Sequence, residues 1–316
     1  MPGKTGEKNI LLCAHMDTVF PENVDHTVAI QPDIVTGPGV ADNGVGLAAL
    51  ITLPLILKKL DLHFNANIIL IGTSRSLGKG DLEGLSFFLE HSKMSITTGI
   101  CIEGVRLGRI SYSSIGMLRG ELTYKIPEEY DWTRFNSVGA IVNMTEMISR
   151  LLEIPLPRKP RTSINLGSVE GGSSYNMQAM KSNLKFEIRS ESGEMVDSLA
   201  VKIGNLAEEM ASKTGSEVTF TEVARRRSGG TEFSHPLNSC SREILTRLGV
   251  TPRLTPSTSE LAAFIDKEIP AITLGITNGE NISELDELIH IEPLATGLVQ
   301  LVGVIQAIDG GFCNAN

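Results

Sequence analysis

Residues 10–19 read ILLCAHMDTV, and residues 37–50 read GPGVADNGVGLAAL. The first stretch is an apolar run of strand length that stops at His15 and Asp17. The second is a glycine-rich turn holding Asp42, and it opens into an apolar run of helix length, about 44–60. A buried strand followed by a helix is the unit of a parallel sheet covered on both faces. The unit recurs: Asn67–Gly72 (NIILIG) reads as a second buried strand, Leu82–His91 as a helix and Thr98–Ile102 as a further strand. Ligands of such sheets bind at the carboxyl ends of the strands. Three residues meet that condition: His15 in AHMDTV, Asp42 just before a helix, and Glu103 in GICIEG.

Near residue 110 the texture changes. Arg109–Ile126 (RISYSSIGMLRGELTYKI) alternates apolar and polar residues, the mark of a half-exposed antiparallel sheet. An amphipathic helix over Val138–Leu152 follows, then strands at Ser163–Val169 and Asn183–Ser190 joined across GGSSYN. A helix at about 194–213 and a strand at Glu217–Val223 complete a ferredoxin-like β-α-β-β-α-β unit. Beyond Arg225–Arg227, taken as a solvated turn, the α/β texture returns with helices at about 236–248 and 293–308 around a strand at Ala271–Gly275. The fold class is therefore α/β: a mainly parallel-sheet domain (1–110 plus 225–316) with the smaller domain (111–224) inserted.

Composition narrows the function. Hydrophobic residues make up 41% and charged residues 21%, enough for a real core. The formal net charge is −9 and the pI about 5.3, which argues against nucleic acid and anionic membrane surfaces as partners. The longest apolar run, Val45 to Leu57, contains Thr52 and Pro54 and falls short of the ~20 residues that span a bilayer. The start, MPGKTGEKNI, has no apolar signal-peptide core. Four dispersed cysteines without a CxxC pair read as reduced thiols, with Cys13 and Cys101 in the core, so a cytoplasmic location is expected.

One imidazole and two carboxylates converging on a sheet edge suit zinc, which takes nitrogen and oxygen ligands at about 2.0–2.2 Å. Asp17 could then fix the tautomer of His15 from behind. A buried histidine bonded to an aspartate would show the same H-x-D spacing without any metal.

The wider text carries a resemblance. ILLCAHMDTVFP and GPGVADNGVGLAAL are joined by IILIGTS, GDLEG, SIGMLRGELTY, GGSSYN, FEIRSES, HPL, STSELAAF, IPAITLG and NGENISELDELIHIEP. In this order they resemble the aminoacylase/carboxypeptidase G/peptidase T group of zinc peptidases. The resemblance implies a catalytic α/β domain with two zinc ions about 3.5–4 Å apart and a lid that often dimerises. His15 and Glu103 would bind one metal, Asp42 would bridge both, and Asp17 would orient His15. The Asp42–Asn43 peptide would be cis. In the lid, Asn176 and Arg189 match the pair that grips the substrate's carboxylate.

The same comparison exposes departures. The family's Glu-Glu pair, general base and ligand of the second metal, falls on Ser76 and Leu77 in GTSRSLGKGDLEG. The last histidine ligand falls on Ser283, with Glu287 four residues on, while His290 is out of register. The aspartate of the family's S-T-D segment is Ser259, next to Glu260, and Tyr130 stands at or near the place of a lid histidine. His15 is preceded by 14 residues where the family has several dozen, an N-terminally short form. Serine cannot take a proton from water near neutral pH and leucine cannot bind zinc. The expectation is one zinc, or none, with the general base lost and peptide hydrolysis weak or absent. The ligand would be a dipeptide or N-acyl amino acid, and a homodimer would form through an edge strand of the lid. The competing readings are an active amidohydrolase, with Asp81, Glu83 or Glu260 as a substitute base, and a purely structural dimer.

Overall fold

The computed structural model describes residues 1–127 and 138–313, so Tyr130 lies outside the described residues. Two compact units are present: 1–114 with 229–316, and 115–228. In chain order the first segment holds β1 (Asn9–His15), α1 (Val45–Lys59), β2 (Asn67–Thr73), α2 (Glu83–His91), β3 (Thr98–Val105) and β4 (Arg109–Ser111). The inserted unit holds β5 (Gly116–Lys125), α3 (Ala140–Leu152), β6 (Thr162–Gly171), β7 (Lys181–Ser190), α4 (Gly193–Thr214) and β8 (Glu217–Arg226). The chain closes with α5 (Pro236–Arg247), β9 (Arg253–Leu254), α6 (Leu261–Asp266), β10 (Ala271–Thr277) and α7 (Leu294–Asp309).

The larger unit is built on a six-stranded sheet of order β9-β4-β10-β3-β1-β2. Every neighbouring pair is parallel except β10 with β4. Strand β1 is apolar on both faces because both are covered. Ile10, Leu12 and Ala14 join the core shared with residues of α1, α5 and α7. Leu11 and Cys13 join the one shared with Leu85 of α2 and Leu261–Phe264 of α6. Parallel register aligns the strand ends, placing His15 beside Thr73 and Cys13 beside Cys101.

Helix α1 continues a π-helical turn over Val40–Gly44. Together they make a 20-residue run long and apolar enough, by length and composition, to cross a membrane, which the reading from Val45 to Leu57 fell short of. Half of that stretch is buried inside the protein, where α1 packs on the central sheet.

The inserted unit is a four-stranded antiparallel sheet of order β8-β5-β7-β6. Alternate residues of β5 and β7 (Leu118, Leu122, Tyr124, Leu184, Phe186, Ile188) pack against Met144, Met147 and Leu151 of α3 and Leu199, Ile203 and Met210 of α4. Ser192 caps α4 through a hydrogen bond from Met195 N–H (3.3 Å), and Gly215, at φ 64°, ends it.

Three expectations change. The alternating run Arg109–Ile126 is not one lid strand: Arg109–Ser111 joins the central sheet, Ser113–Ser114 pairs with Gly229–Gly230, and only Gly116–Lys125 enters the lid. Alternation persists across the crossing because each piece has one face covered. Arg225–Arg227 is no solvated turn, since Arg225 and Arg226 belong to β8. Arg225 pairs with Glu222 and Asp197, and Arg226 is buried. A small antiparallel sheet of Ala29–Ile30, Ile34–Thr36, Gly279–Glu280 and Leu288–His290 has no counterpart in the sequence reading, because strands of two or three residues show no periodicity.

Candidate metal centre

His15 ends β1, Glu103 lies near the end of β3, and Asp42 sits in the π-helical turn leading into α1. One donor atom from each lies within 4.8 Å of the other two. The Asp42 turn is locked from several sides. Its Asp42–Asn43 peptide is cis, as the resemblance implied. Asn43 is buried and its amide donates to the Ile102 carbonyl at 2.8 Å. Gly104 permits the close approach of the turn to β3, since a Cβ there would stand 2.0 Å from the Ala41 oxygen.

His15 Nδ1 donates to the backbone carbonyl of Asp17 at 2.9 Å, which leaves Nε2 facing Asp42 Oδ1 at 3.0 Å. That carboxylate oxygen is buried yet accepts no well-aligned hydrogen bond. Two donor atoms facing each other in this way are arranged as ligands of a common ion. The imidazole, the two carboxylates and their spacing within 4.8 Å fit zinc, which takes nitrogen and oxygen donors at about 2.0–2.2 Å. Asp17 corrects an expectation, because its backbone carbonyl, and not its carboxylate, orients His15. The carboxylate instead accepts the backbone N–H groups of Ser76 (2.9 Å) and Leu77 (2.8 Å).

The electrostatics match a site built for a cation. Burial alone would lower the pKa of His15. The close approach of the Asp42 carboxylate and the charges of Glu260 and Glu103 outweigh it and push the imidazole up to about 10. Burial pushes the Glu103 carboxyl above its usual range, against the charge of Arg109 and the hydrogen bond from Ser259 Oγ at 2.6 Å. The Cys13 and Cys101 thiols lie buried below; their mutual hydrogen bond and burial push Cys13 up, as burial does Cys101. They are core residues and not nucleophiles.

Ser76 is buried, and its Oγ is 3.5 Å from Thr73 Oγ1. Ser283 donates its N–H to Glu287 Oε1 at 2.7 Å. The other oxygen of Glu287 accepts the N–H groups of Ala41 (3.0 Å) and Asp42 (3.3 Å), so this fully buried carboxylate fastens the Asp42 turn to the Ser283 loop. His290 faces away, toward Glu280 at 3.3 Å. Among the substitute bases considered, Glu83 is tied to exposed Arg75 at 2.6 Å, and Asp81 sits in the turn before α2. Glu260 is 2% exposed and accepts from Thr73 Oγ1 at 3.3 Å.

In the inserted unit, Asn176 lies exposed in the loop between β6 and β7 and accepts from Ser174 Oγ at 2.9 Å. Arg189 forms an ion pair with Glu187, which Arg119 also holds at 2.7 Å. Among the described residues, no hydrogen bond joins Asn176 to Arg189. The sequence reading assigned no contact to Ser259, to the buried Asn43 or to the carboxylate of Glu287.

The profile of peptidase family M20/M25/M40 matches residues 11–307. The chain belongs to this family. Among solved structures it is similar to the aminopeptidase PepT of Bacillus cereus, with 21% identity, a TM-score of 0.73, and 98% of this chain and 83% of that one covered. A tripeptidase of Staphylococcus aureus gives 22%, 0.76, 98% and 83%. YXEP of Bacillus subtilis, described as a dinuclear metal-binding M20 peptidase, gives 15%, 0.67, 98% and 84%. At these identities the likeness to the three structures is one of fold. A search of curated protein sequences returns no match. Membership in M20/M25/M40 makes the chain a member of a family of metal-dependent peptidases, with a possible metal site at His15, Asp42 and Glu103.

Proposed function

We propose that this M20 chain binds a single zinc ion through His15, Asp42 and Glu103 and holds a small carboxylate-bearing ligand, a dipeptide or N-acyl amino acid, with hydrolysis weak or absent. The observation that carries this reading is an asymmetry. All three donors of one metal come together within 4.8 Å, while the positions assigned to the second metal hold Leu77 and Ser283 and that of the base holds Ser76. The peptidase names of the similar structures support a peptide-like ligand. Bound zinc would supply Lewis-acid polarisation of a ligand oxygen. Asp17 and Glu287 position its ligands through the backbone. In the inserted unit, Asn176 and Arg189 offer an amide and a guanidinium of the kind that grips a carboxylate. Free cysteines fit a cytoplasmic protein, and the edge strands of the lid sheet fit a homodimer.

One observation favours a second reading, an active amidohydrolase. Glu260 is a buried carboxylate two bonded steps from Ser76 through Thr73, placed where it could replace the lost base. The deciding experiment measures zinc per chain by elemental analysis, together with turnover of dipeptides and N-acyl amino acids. The expected result is about one zinc, lost in Asp42→Ala, and negligible turnover. The combined Ser76→Glu, Leu77→Glu, Ser283→His variant should bind two. Turnover abolished by both Asp42→Ala and Glu260→Gln would establish the second reading, and two zinc ions in the unmodified protein would overturn the assignment of Ser76, Leu77 and Ser283.

A further inference from the structure

A cavity of about 340 Å³ opens beside the candidate metal centre within the same unit, lined by Asp42 and Glu103 together with Arg106, Arg109, Arg253 and Thr255. Its size is in the range of small-molecule sites, ~300–1,000 Å³. The arginines converge because the backbone makes them. Arg253 of β9 stands directly opposite Arg109 of β4 in the parallel ladder. Arg106 follows β3, and its carbonyl sits where a Cβ on Gly275 would approach to 1.9 Å. The Arg253 N–H donates to the Gly108 carbonyl at 2.7 Å, fixing the strand that carries it.

Like charges placed directly opposite one another in a sheet are destabilising unless something lies between them. Several other arginines of this acidic chain are matched to carboxylates, Arg75 with Glu83, Arg150 with Glu209 and Arg247 with Glu243 among them. In the cavity, Arg109 is 3.9 Å from Glu103 and donates to Ser111 Oγ at 3.1 Å. Arg106 and Arg253 make no ion pair among the described residues, and both are exposed. Of the three guanidinium groups in this space only Arg109 has a carboxylate partner among the described residues, and a divalent cation on Asp42 and Glu103 would weaken even that pairing.

We propose that this cavity is an anion subsite of the metal centre, taking a second acidic group of the ligand, a side-chain carboxylate or a phosphate. The planar guanidinium fork matches either oxyanion with paired hydrogen bonds, and the Thr255 hydroxyl offers one more donor. The subsite would make the centre selective for ligands with an anionic arm. That consequence rests on the function proposed above; the anion binding itself does not.

The test is calorimetric titration of zinc-loaded and chelator-treated protein with inorganic phosphate and with succinate, with zinc content measured on the same samples. Saturable binding of one probe per chain is expected, stronger in the zinc-loaded protein. Arg106→Gln and Arg253→Gln should each weaken it about tenfold or more, whereas Arg247→Gln, which removes a distant positive charge, should not. Arg253→Lys keeps the charge without the fork and should fall between. Binding of phosphate alone would name a phosphoryl group as the natural anion, and of succinate alone a carboxylate. Failure of both probes to saturate would overturn the subsite, as would binding lost in Arg189→Gln but intact in Arg106→Gln and Arg253→Gln. Anion binding without zinc uptake would overturn the metal reading and leave the subsite standing. Zinc uptake without anion binding would do the reverse.

Discussion

At the scale of single residues, the candidate centre depends on groups that never touch a ligand. Glu287 accepts three backbone N–H groups, from Ala41, Asp42 and Ser283; that of Ala41 is buried, those of Asp42 and Ser283 are partly so, and all would lose their partner without it. Leaving such donors unpaired costs about 1–3 kcal/mol apiece before relaxation. Glu287→Ala is therefore expected to lower unfolding stability by about 2–4 kcal/mol and to weaken zinc uptake although all three metal donors remain. Glu287→Gln, which keeps one acceptor oxygen, should lose less. Urea unfolding and zinc titration of both variants check this. The donors themselves were legible in the sequence, since His15, Asp42 and Glu103 interrupt apolar runs where strands end or a helix begins. The role of Glu287 was not, because its partners are backbone groups that carry no residue signature. Asp17 shows the same limit: its carboxylate was expected on His15 and instead accepts the Ser76 and Leu77 N–H groups.

At the scale of elements, long periodic segments were readable and short ones were not. Strands β1, β2 and β10 and helices α1, α4 and α7 follow from apolar runs and helical spacing. The six-residue α6 and the two- and three-residue strands of the small sheet follow only from what packs on them. Strand β7 also carries an electrostatic element, Glu187 held between Arg119 and Arg189. Burial would raise the Glu187 carboxyl, but the hydrogen bond from Arg119 and the charge of Arg189 win and hold it below its usual value of 4.5. A carboxylate depressed by folding adds stability above its unfolded pKa and loses it as pH falls through the folded one. Glu187→Gln should cost no more than about 1 kcal/mol at pH 7, given the partial exposure of the network. The gap should close below the carboxylate range. Urea unfolding of both proteins at pH 7 and at acid pH tests the sign: a gap that widens on acidification would show the assignment to be wrong.

At the scale of the whole molecule, two units differ in how the chain supplies them. The inserted unit is a single continuous segment, 115–228, with its own core under α3 and α4. Expressed alone it should fold, giving a cooperative thermal transition by circular dichroism and the mixed α/β signature of its sheet and two helices. A broad, non-cooperative melt would show that its core is insufficient. The larger unit is assembled from both ends of the chain, with β10 seated between β3 and β4. Glu287 lies 246 positions beyond Ala41, which it fastens. A nascent chain leaving the ribosome therefore displays His15, Asp42 and Glu103 long before the residue that shapes their turn has been translated. On the proposed metal reading, cations met during synthesis would encounter loose donors, and discrimination among them would begin only when the last tenth of the polypeptide has been threaded into place.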